Sequence, residues 1–430
     1  MDLGKCPRVL IITVNPLSST SSNGKTFASF FKGYPKECIA QLYFHREIPS
    51  SSVCENYYKI SDESIIKNLL GRSKKTGNKV YMQDREERLI PQNINNKLRK
   101  SSIVRFARTL VWLSLDLGKE DVKNWLDEFN PQIIFFCGGD ANYLYSKVIG
   151  LSKAYNAKII YYITDDYVLP YFSINPFYLI NRLWTRNMFK KMCINSSLIL
   201  TIGDKMSRAY KEKYGIECEK IMNLVDIETD KIEETSFKKN NLKFVYAGGL
   251  HTNRWKTLSL IGKSFQRLER EGIKASIEIY SQNKPQEKIL KAMNNSHYSK
   301  YCGSLDEKGV KRILREADVL VHVESFDYIS QRVTCLSVST KISEYMATGK
   351  CILAFGPKDV ASIEYLKETD SGFVVTSTKS QDIDNILREI IINPQKRDLY
   401  AIQALQIAKE NHDIKKRRNE FQQKIKSYYL

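Results

Sequence analysis

Short apolar runs, separated by polar loops and amphipathic stretches, recur along nearly the whole chain. Residues 8–14, Arg-Val-Leu-Ile-Ile-Thr-Val, are mostly apolar and rich in β-branched side chains, the pattern of a strand buried on both faces. This run empties into a polar loop over residues 15–26, and a helical stretch follows over about residues 27–31. A second strand is expected at 39–44, whereas residues 50–100 are polar and carry no clear period. Residues 97–113 alternate basic and apolar positions at helical spacing, with Trp112 near the end. Strands are predicted at 131–137, 157–163 and 197–203, with helices at 143–155 and 205–214, the latter closed by Gly215. Strand, loop and helix in repetition define an α/β series, in which ligands gather at the carboxyl ends of the strands.

Residues 223–241 are charged and lack apolar periodicity, so they read as a connection between domains. A second series then begins. Strands are expected at 242–247, 275–280, 319–323, 351–355 and 372–375, with helices at 257–271, 307–317 and 380–392. A final helix is expected to run unbroken over about residues 395–429. Within this series Ser339 and Thr340 are placed to cap a short helix carrying Ile342, Tyr345 and Met346 on one face, and Gly349 falls at its left-handed stop. The domains follow as 1–222, a linker at 223–241, 242–410, and a C-terminal helix at 411–430.

Composition narrows the class. A chain of 430 residues is too long for one core. Its 42% hydrophobic content, with 20 Gly and 11 Pro, excludes a disordered chain. Lys and Arg number 67 against 48 Asp and Glu, a net charge of +19, which calls for an anionic partner or reflects a generally basic surface. The nine cysteines are scattered singly and the five histidines form no metal-ligand spacing, so no metal and no cofactor is expected. Unpatterned cysteines, no signal-peptide layout and no long apolar window lead to an expected cytoplasmic location. The basic, amphipathic stretch at 97–113 fits either an anionic bilayer surface or an ordinary helix on a domain core.

Candidate chemistry sits where strands end. Gly24-Lys25-Thr26 resembles half of a phosphate-binding loop, but Ser19 stands where the full motif needs glycine. Asp165 and Asp166 follow a strand, and being adjacent they point opposite ways; one carboxylate there orients a hydroxyl, acts as a base, or caps a loop. Gly248 and Gly249 let backbone approach a ligand, with Arg254 and Lys256 placed to neutralise a diphosphate, or they form a plain tight turn with solvated cations. Lys341 and Glu344 share one helix face, either as an ordinary surface pair or in a nucleotide site. In the latter case the capped helix start binds phosphate and the carboxylate binds ribose. No G-x-G-x-x-G and no G-x-S-x-G occurs.

Taken in order, several segments resemble the two-domain GT-B glycosyltransferases, particularly the retaining enzymes of glycosyltransferase family 4. They are Asn23-Gly24, Tyr162-Ile-Thr-Asp-Asp-Tyr167, Ala247-Gly-Gly-Leu250 with Arg254 and Lys256, and Tyr301-Cys-Gly-Ser304. Ala317-Asp-Val-Leu-Val321 with Glu324-Ser-Phe-Asp327, and the stretch from Thr340 to Lys350, complete the series. The resemblance implies two Rossmann-like domains facing across a cleft, with the C-terminal helix packing back on the N-terminal domain. It implies a nucleotide-sugar donor, a glycan or lipid-linked glycan acceptor of the surface-polysaccharide kind, no metal and no nucleic acid. An anionic membrane surface at the inner face of the cell membrane would carry such an acceptor. Glu344 would hold the ribose, matching the second glutamate of the E-x7-E pattern; the first falls on Leu336, so main chain near Ser337 is expected to contact the sugar. Arg254 and Lys256 would hold the diphosphate and stabilise the departing nucleotide. Amides of Ser339, Thr340 and Lys341 would add donors, Gly24 and Asn23 would approach the donor, and Asp165 or Asp166 would touch sugar or acceptor. A nucleotide-sugar epimerase of the same fold and a non-catalytic basic protein binding anions or nucleic acid are the alternatives.

Overall fold

A computed structural model describes residues 6–19, 22–81, 102–169, 175–227 and 241–429. The chain divides into two compact units, Met1–Ile221 with Lys416–Leu430, and Met222–Lys415.

Among the described residues the first unit has eight strands: β1 (Val9–Thr13), β2 (Ile39–Tyr43), β3 (Asn56–Lys59), β4 (Asn78–Val80), β5 (Ile133–Cys137), β6 (Lys158–Ile163), β7 (Leu198–Thr201) and β8 (Glu219–Lys220). They lie in the order β4-β3-β2-β1-β5-β6-β7-β8. All pairs are parallel except β3 with β4. Every residue of β1, β2 and β5 is buried, because helices cover both faces of a parallel sheet and leave no side for polar alternation. The unpatterned stretch before residue 100 holds β3, β4 and a helix, Asp62–Leu69, closed at its start by a Ser61–Ser64 capping box. Two helices escaped the periodicity reading, Glu120–Phe129 and the 20-residue Pro176–Asn195. Of the basic stretch at 97–113, residues 97–101 lie outside the described residues; the rest forms the helix Ser102–Leu113.

Among the described residues the second unit has six parallel strands: β9 (Leu242–Ala247), β10 (Ala275–Tyr280), β11 (Ser299–Gly303), β12 (Val319–Val323), β13 (Cys351–Phe355) and β14 (Phe373–Val375). Their order is β11-β10-β9-β12-β13-β14. The chain steps one way from β9 and the other way from β12, so strand order reverses between these two neighbours. Side chains alternate between two cores. Val245, Leu320 and Ile352 join one, with Ile342 and Tyr345, while Phe244, Val321 and Leu353 join the other, with Leu258 and Phe265.

Three expected features differ. The first helix starts at Ser22 instead of about residue 27, so Asn23 and Gly24 lie in its first turn rather than in a loop. The expected final helix is two, Pro394–Asn411 and Ile414–Ser427. The break is held by a buried histidine: the His412 carbonyl accepts from Val225 N (2.9 Å), Nδ1 contacts the Asn223 carbonyl (2.9 Å) and Nε2 the Tyr365 hydroxyl (3.0 Å). Periodicity cannot report such a break, because the groups that cause it are remote in sequence. The cap also differs: Ser339 makes no side-chain cap bond. The helix Ile414–Ser427 does pack on the first unit, where Phe421 meets Phe30, Phe31 and Phe135 at ring distances of 5.1, 5.5 and 5.9 Å. The described part of the presumed linker, 223–227, lies in the second unit, bridged to Asp413 through Val225.

Candidate functional site

At the reversal point of the second unit, β9 ends in Ala247-Gly248-Gly249 and β12 ends against Glu324. The turn after the glycines carries two consecutive left-handed non-glycine residues, Thr252 and Asn253, both at φ 57°. A β-branched residue is rarely left-handed, and such strain concentrates where a chain must present a particular group. The group presented is Arg254, the first residue of the helix Arg254–Glu269, three positions before the expected start. Its guanidinium is buried and grips Glu324 with two nitrogens: Nη2 donates to Oε1 at 2.8 Å, and Nε donates to Oε2 at 3.2 Å. Nη1 lies 3.3 Å from His251 Nε2.

His322 lies two residues before Glu324, so strand alternation puts the pair on one side, with His322 Nε2 3.3 Å from Glu324 Oε1. Burial alone would raise the Glu324 carboxyl; the His322 contact and the Arg254 charge outweigh it and hold the carboxyl at about 2. Burial pushes His322 below the ordinary histidine range, so the ring is neutral near pH 7.

Lys341 is in the first turn of the helix Thr340–Ala347, and its ammonium lies 5.1 Å from the centre of the Tyr246 ring. It occupies the space that a side chain at residue 248 would need: a Cβ on Gly248 would fall 1.9 Å from Lys341 Nζ. Burial, then repulsion from Arg254, lowers the ammonium to about 7, against the attraction of Glu324 and Glu344. The Tyr345 hydroxyl takes the Ala247 amide at 3.3 Å, pinning this helix to the end of β9. Gly249 is held as well, its carbonyl accepting from the Tyr246 hydroxyl at 2.7 Å.

Gly248, Gly249, Arg254, Lys341 and Glu344 therefore belong to one edge of the sheet or to elements pinned there. Lys256 is exposed, one turn into its helix, near the Trp255 ring. Of the three amides expected to donate, that of Ser339 is already taken by Ser362 Oγ at 3.0 Å. Thr340 accepts through its carbonyl from Ser343 Oγ. Ser337 donates its amide to the Thr334 carbonyl at 3.3 Å. Glu324 and His322 are the site residues that sequence reasoning left without a role. Glu324 did stand in the Glu324-Ser-Phe-Asp327 segment of the family resemblance, whereas His322 showed only as a polar residue near the end of an apolar run.

The first-unit candidates read differently. A Cβ on Gly24 would fall 2.6 Å from the Pro16 carbonyl oxygen, so glycine is required there by the chain's own fold. Asp166 Oδ1 accepts from the amides of Val168 (2.9 Å) and Leu169 (3.0 Å) and from the Tyr210 hydroxyl (3.0 Å), which makes it the organiser of its loop. Asp165 lines a small cavity of 10 Å³ with Gly139, Tyr145 and Tyr167, room for about one water.

Two parallel α/β units with this strand order define the GT-B fold. Residues 241–393 match the family described as "Glycosyl transferases group 1". The fold is similar to HepE of Anabaena in complex with UDP and glucose (TM-score 0.62, 13% identity, 98% of this chain and 100% of that one). It is also similar to sucrose-phosphate synthase of Thermosynechococcus elongatus (0.65, 11%, 98% of each chain). An E. coli trehalose-6-phosphate protein bound with UDP-2-fluoro glucose is a third (0.60, 11%, 97% and 99%). No curated protein matches the chain by sequence.

Proposed function

We propose that the protein transfers a sugar from a nucleotide-diphosphate donor to a hydroxyl acceptor, and that the donor binds the second unit at the β9–β12 edge. The observation that carries this reading is the meeting of the glycine turn at Gly248, the cation of Lys341 and the start of the helix Thr340–Ala347. Backbone amides at a helix start, a nearby ammonium and a turn without Cβ atoms together suit a diphosphate. Glu344, three residues after Lys341, holds the ribose hydroxyls. The family match over 241–393, which spans this edge, and the uridine nucleotides of the similar structures support the same class of ligand.

In this reading the diphosphate leaves the anomeric carbon as Lys341 and Lys256 stabilise its charge, and Arg254, its own charge offset by Glu324, positions the turn beside them. Transfer proceeds with retention, the departing phosphate oxygen taking the acceptor proton, so no dedicated base is needed. Asn23 and Gly24 of the first unit approach the donor, while Asp166 orders its loop and Asp165 contacts the sugar or the acceptor. The acceptor is a lipid-linked glycan of surface-polysaccharide assembly, met at the cytoplasmic face of a membrane.

A thermal-shift screen of uridine, guanosine, adenosine and thymidine diphosphate sugars tests the donor. At ligand a hundredfold above Kd, binding stabilises by about 2.7 kcal/mol, a shift of a few degrees. One base should stand out. No shift with any of the four rejects the reading, and release of an altered free sugar without acceptor points to an epimerase instead.

A further inference from the structure

The helices Ser102–Leu113 and Pro176–Asn195 of the first unit pack together, with the Phe106 and Phe177 rings 5.7 Å apart. Their outward sides are unusual. Leu179, Ile180 and Leu183 are 41, 51 and 57% exposed on the longer helix, and Val104, Leu110 and Leu113 are 41, 49 and 39% exposed on the shorter. Leu179, Ile180 and Leu183 form one apolar patch, and further along the same outward side Arg186, Asn187, Lys190 and Lys191 follow before Ile194 near the helix end. The two helices carry Arg105, Arg108, Arg182, Arg186, Lys190 and Lys191 but no Asp or Glu. Arg108 is committed to Asp62 and Arg182 to the Val168 carbonyl, which leaves Arg186, Lys190 and Lys191 exposed on the surface of the longer helix.

We infer that this two-helix face is where the protein docks on an anionic lipid bilayer. Aliphatic side chains enter the boundary between headgroups and acyl chains while the long cationic side chains reach the phosphates beside them. Charge decides among the possible occupants. A second copy would bring two purely cationic faces together, which repel. A nucleic acid would meet the cations but leave the leucines and isoleucines idle, since aliphatic groups neither stack on bases nor bond phosphate. Only a bilayer with anionic lipids uses both. The inference extends the lipid-linked acceptor proposed above to a particular surface, and its test does not require turnover.

Sedimentation of the full chain with vesicles of phosphatidylcholine, alone or mixed with phosphatidylglycerol, reads the docking directly. Wild type should bind the mixed vesicles at low salt and release at high salt. K190E/K191E should lower partitioning by roughly 30-fold or more, at about fivefold per charge removed. I180S/L183S should lower it about tenfold while leaving the melting temperature unchanged, because both side chains are already exposed. Equal binding by wild type and both variants, or binding to neither vesicle, overturns the inference. So does a dimer in sedimentation velocity that I180S/L183S abolishes, or a nucleic-acid gel shift that vesicles fail to compete. Nucleotide-sugar thermal shifts on the same proteins separate the two ideas. Vesicle binding without any nucleotide response would reject glycosyl transfer and leave the docking face standing.

Discussion

Arg254 and Glu324, 70 residues apart in sequence, form a buried two-pronged ion pair at the carboxyl edge of the second sheet. Neither group tolerates loss of the other, because an unpaired charge in that position has no water to replace its partner. Glu324→Gln should therefore cost about 3–5 kcal/mol of stability. Chemical denaturation of the variant and wild type checks it, and a loss below about 1 kcal/mol would show the pair to be solvated. Arg254→Ala carries the same stability cost and, where the fold survives, should lower turnover more than donor affinity.

If the proposed donor site is right, Lys341 should make nucleotide binding sensitive to pH near neutrality. Its folded pKa of about 7 lies below the ordinary lysine value, so the ammonium is charged below pH 7 and loses its proton as pH rises through 7. A diphosphate favours the charged form, so nucleotide affinity should fall as pH climbs above 7, by at most about tenfold per unit. Calorimetry in two buffers of different ionisation enthalpy should show proton uptake on binding at pH 8. Lys341→Met should flatten the pH profile, and an unchanged profile would remove Lys341 from the site. The same shift has a signature in stability. A lysine whose folded pKa is depressed costs stability below pH 7, and the cost is relieved as pH rises toward the unfolded value.

Gly248→Ala separates packing from binding. The new Cβ lands on the Lys341 ammonium, the end of a flexible chain, which moves aside at little cost. Stability should change by under about 1.5 kcal/mol while nucleotide affinity drops about tenfold. Equal affinity would mean that Lys341 and the glycine turn do not share a ligand.

Glu344→Ala should weaken nucleotide-sugar binding by roughly 10- to 100-fold, the loss expected when a charged acceptor of ribose hydroxyls is removed. Competition by inorganic pyrophosphate should be unaffected. If both ligands weaken together, Glu344 acts on the fold or the phosphates instead of the ribose.

Asp166→Ala tests the first unit. Three donors lose one oxygen, so stability should fall by about 2–3 kcal/mol. Nucleotide thermal shifts should persist in the variant, since the proposed donor site lies in the other unit.

Most strands were legible in the sequence because a parallel sheet buried on both faces requires unbroken apolar runs, as at Val319–Val323 and Cys351–Phe355. Gly349 announced its left-handed stop for a similar reason: at φ 66° glycine is the residue without a penalty. What local pattern could not supply is anything set by distant partners. The split of the last helix at His412 depends on Asn223, Val225 and Tyr365, and the helix Pro176–Asn195 was hidden because Leu179, Ile180, Leu183 and Ile194 on its exposed side blur the apolar period. In the candidate site the sequence by itself determined which glycines, cations and carboxylates were available at strand ends. Tertiary structure alone decided their roles. It committed Arg254 to Glu324, spent the Ser339 amide on Ser362 and set Lys341 in the space left by Gly248, because these pairings join residues on different elements that only the packing of the second sheet and its helices brings within bonding distance.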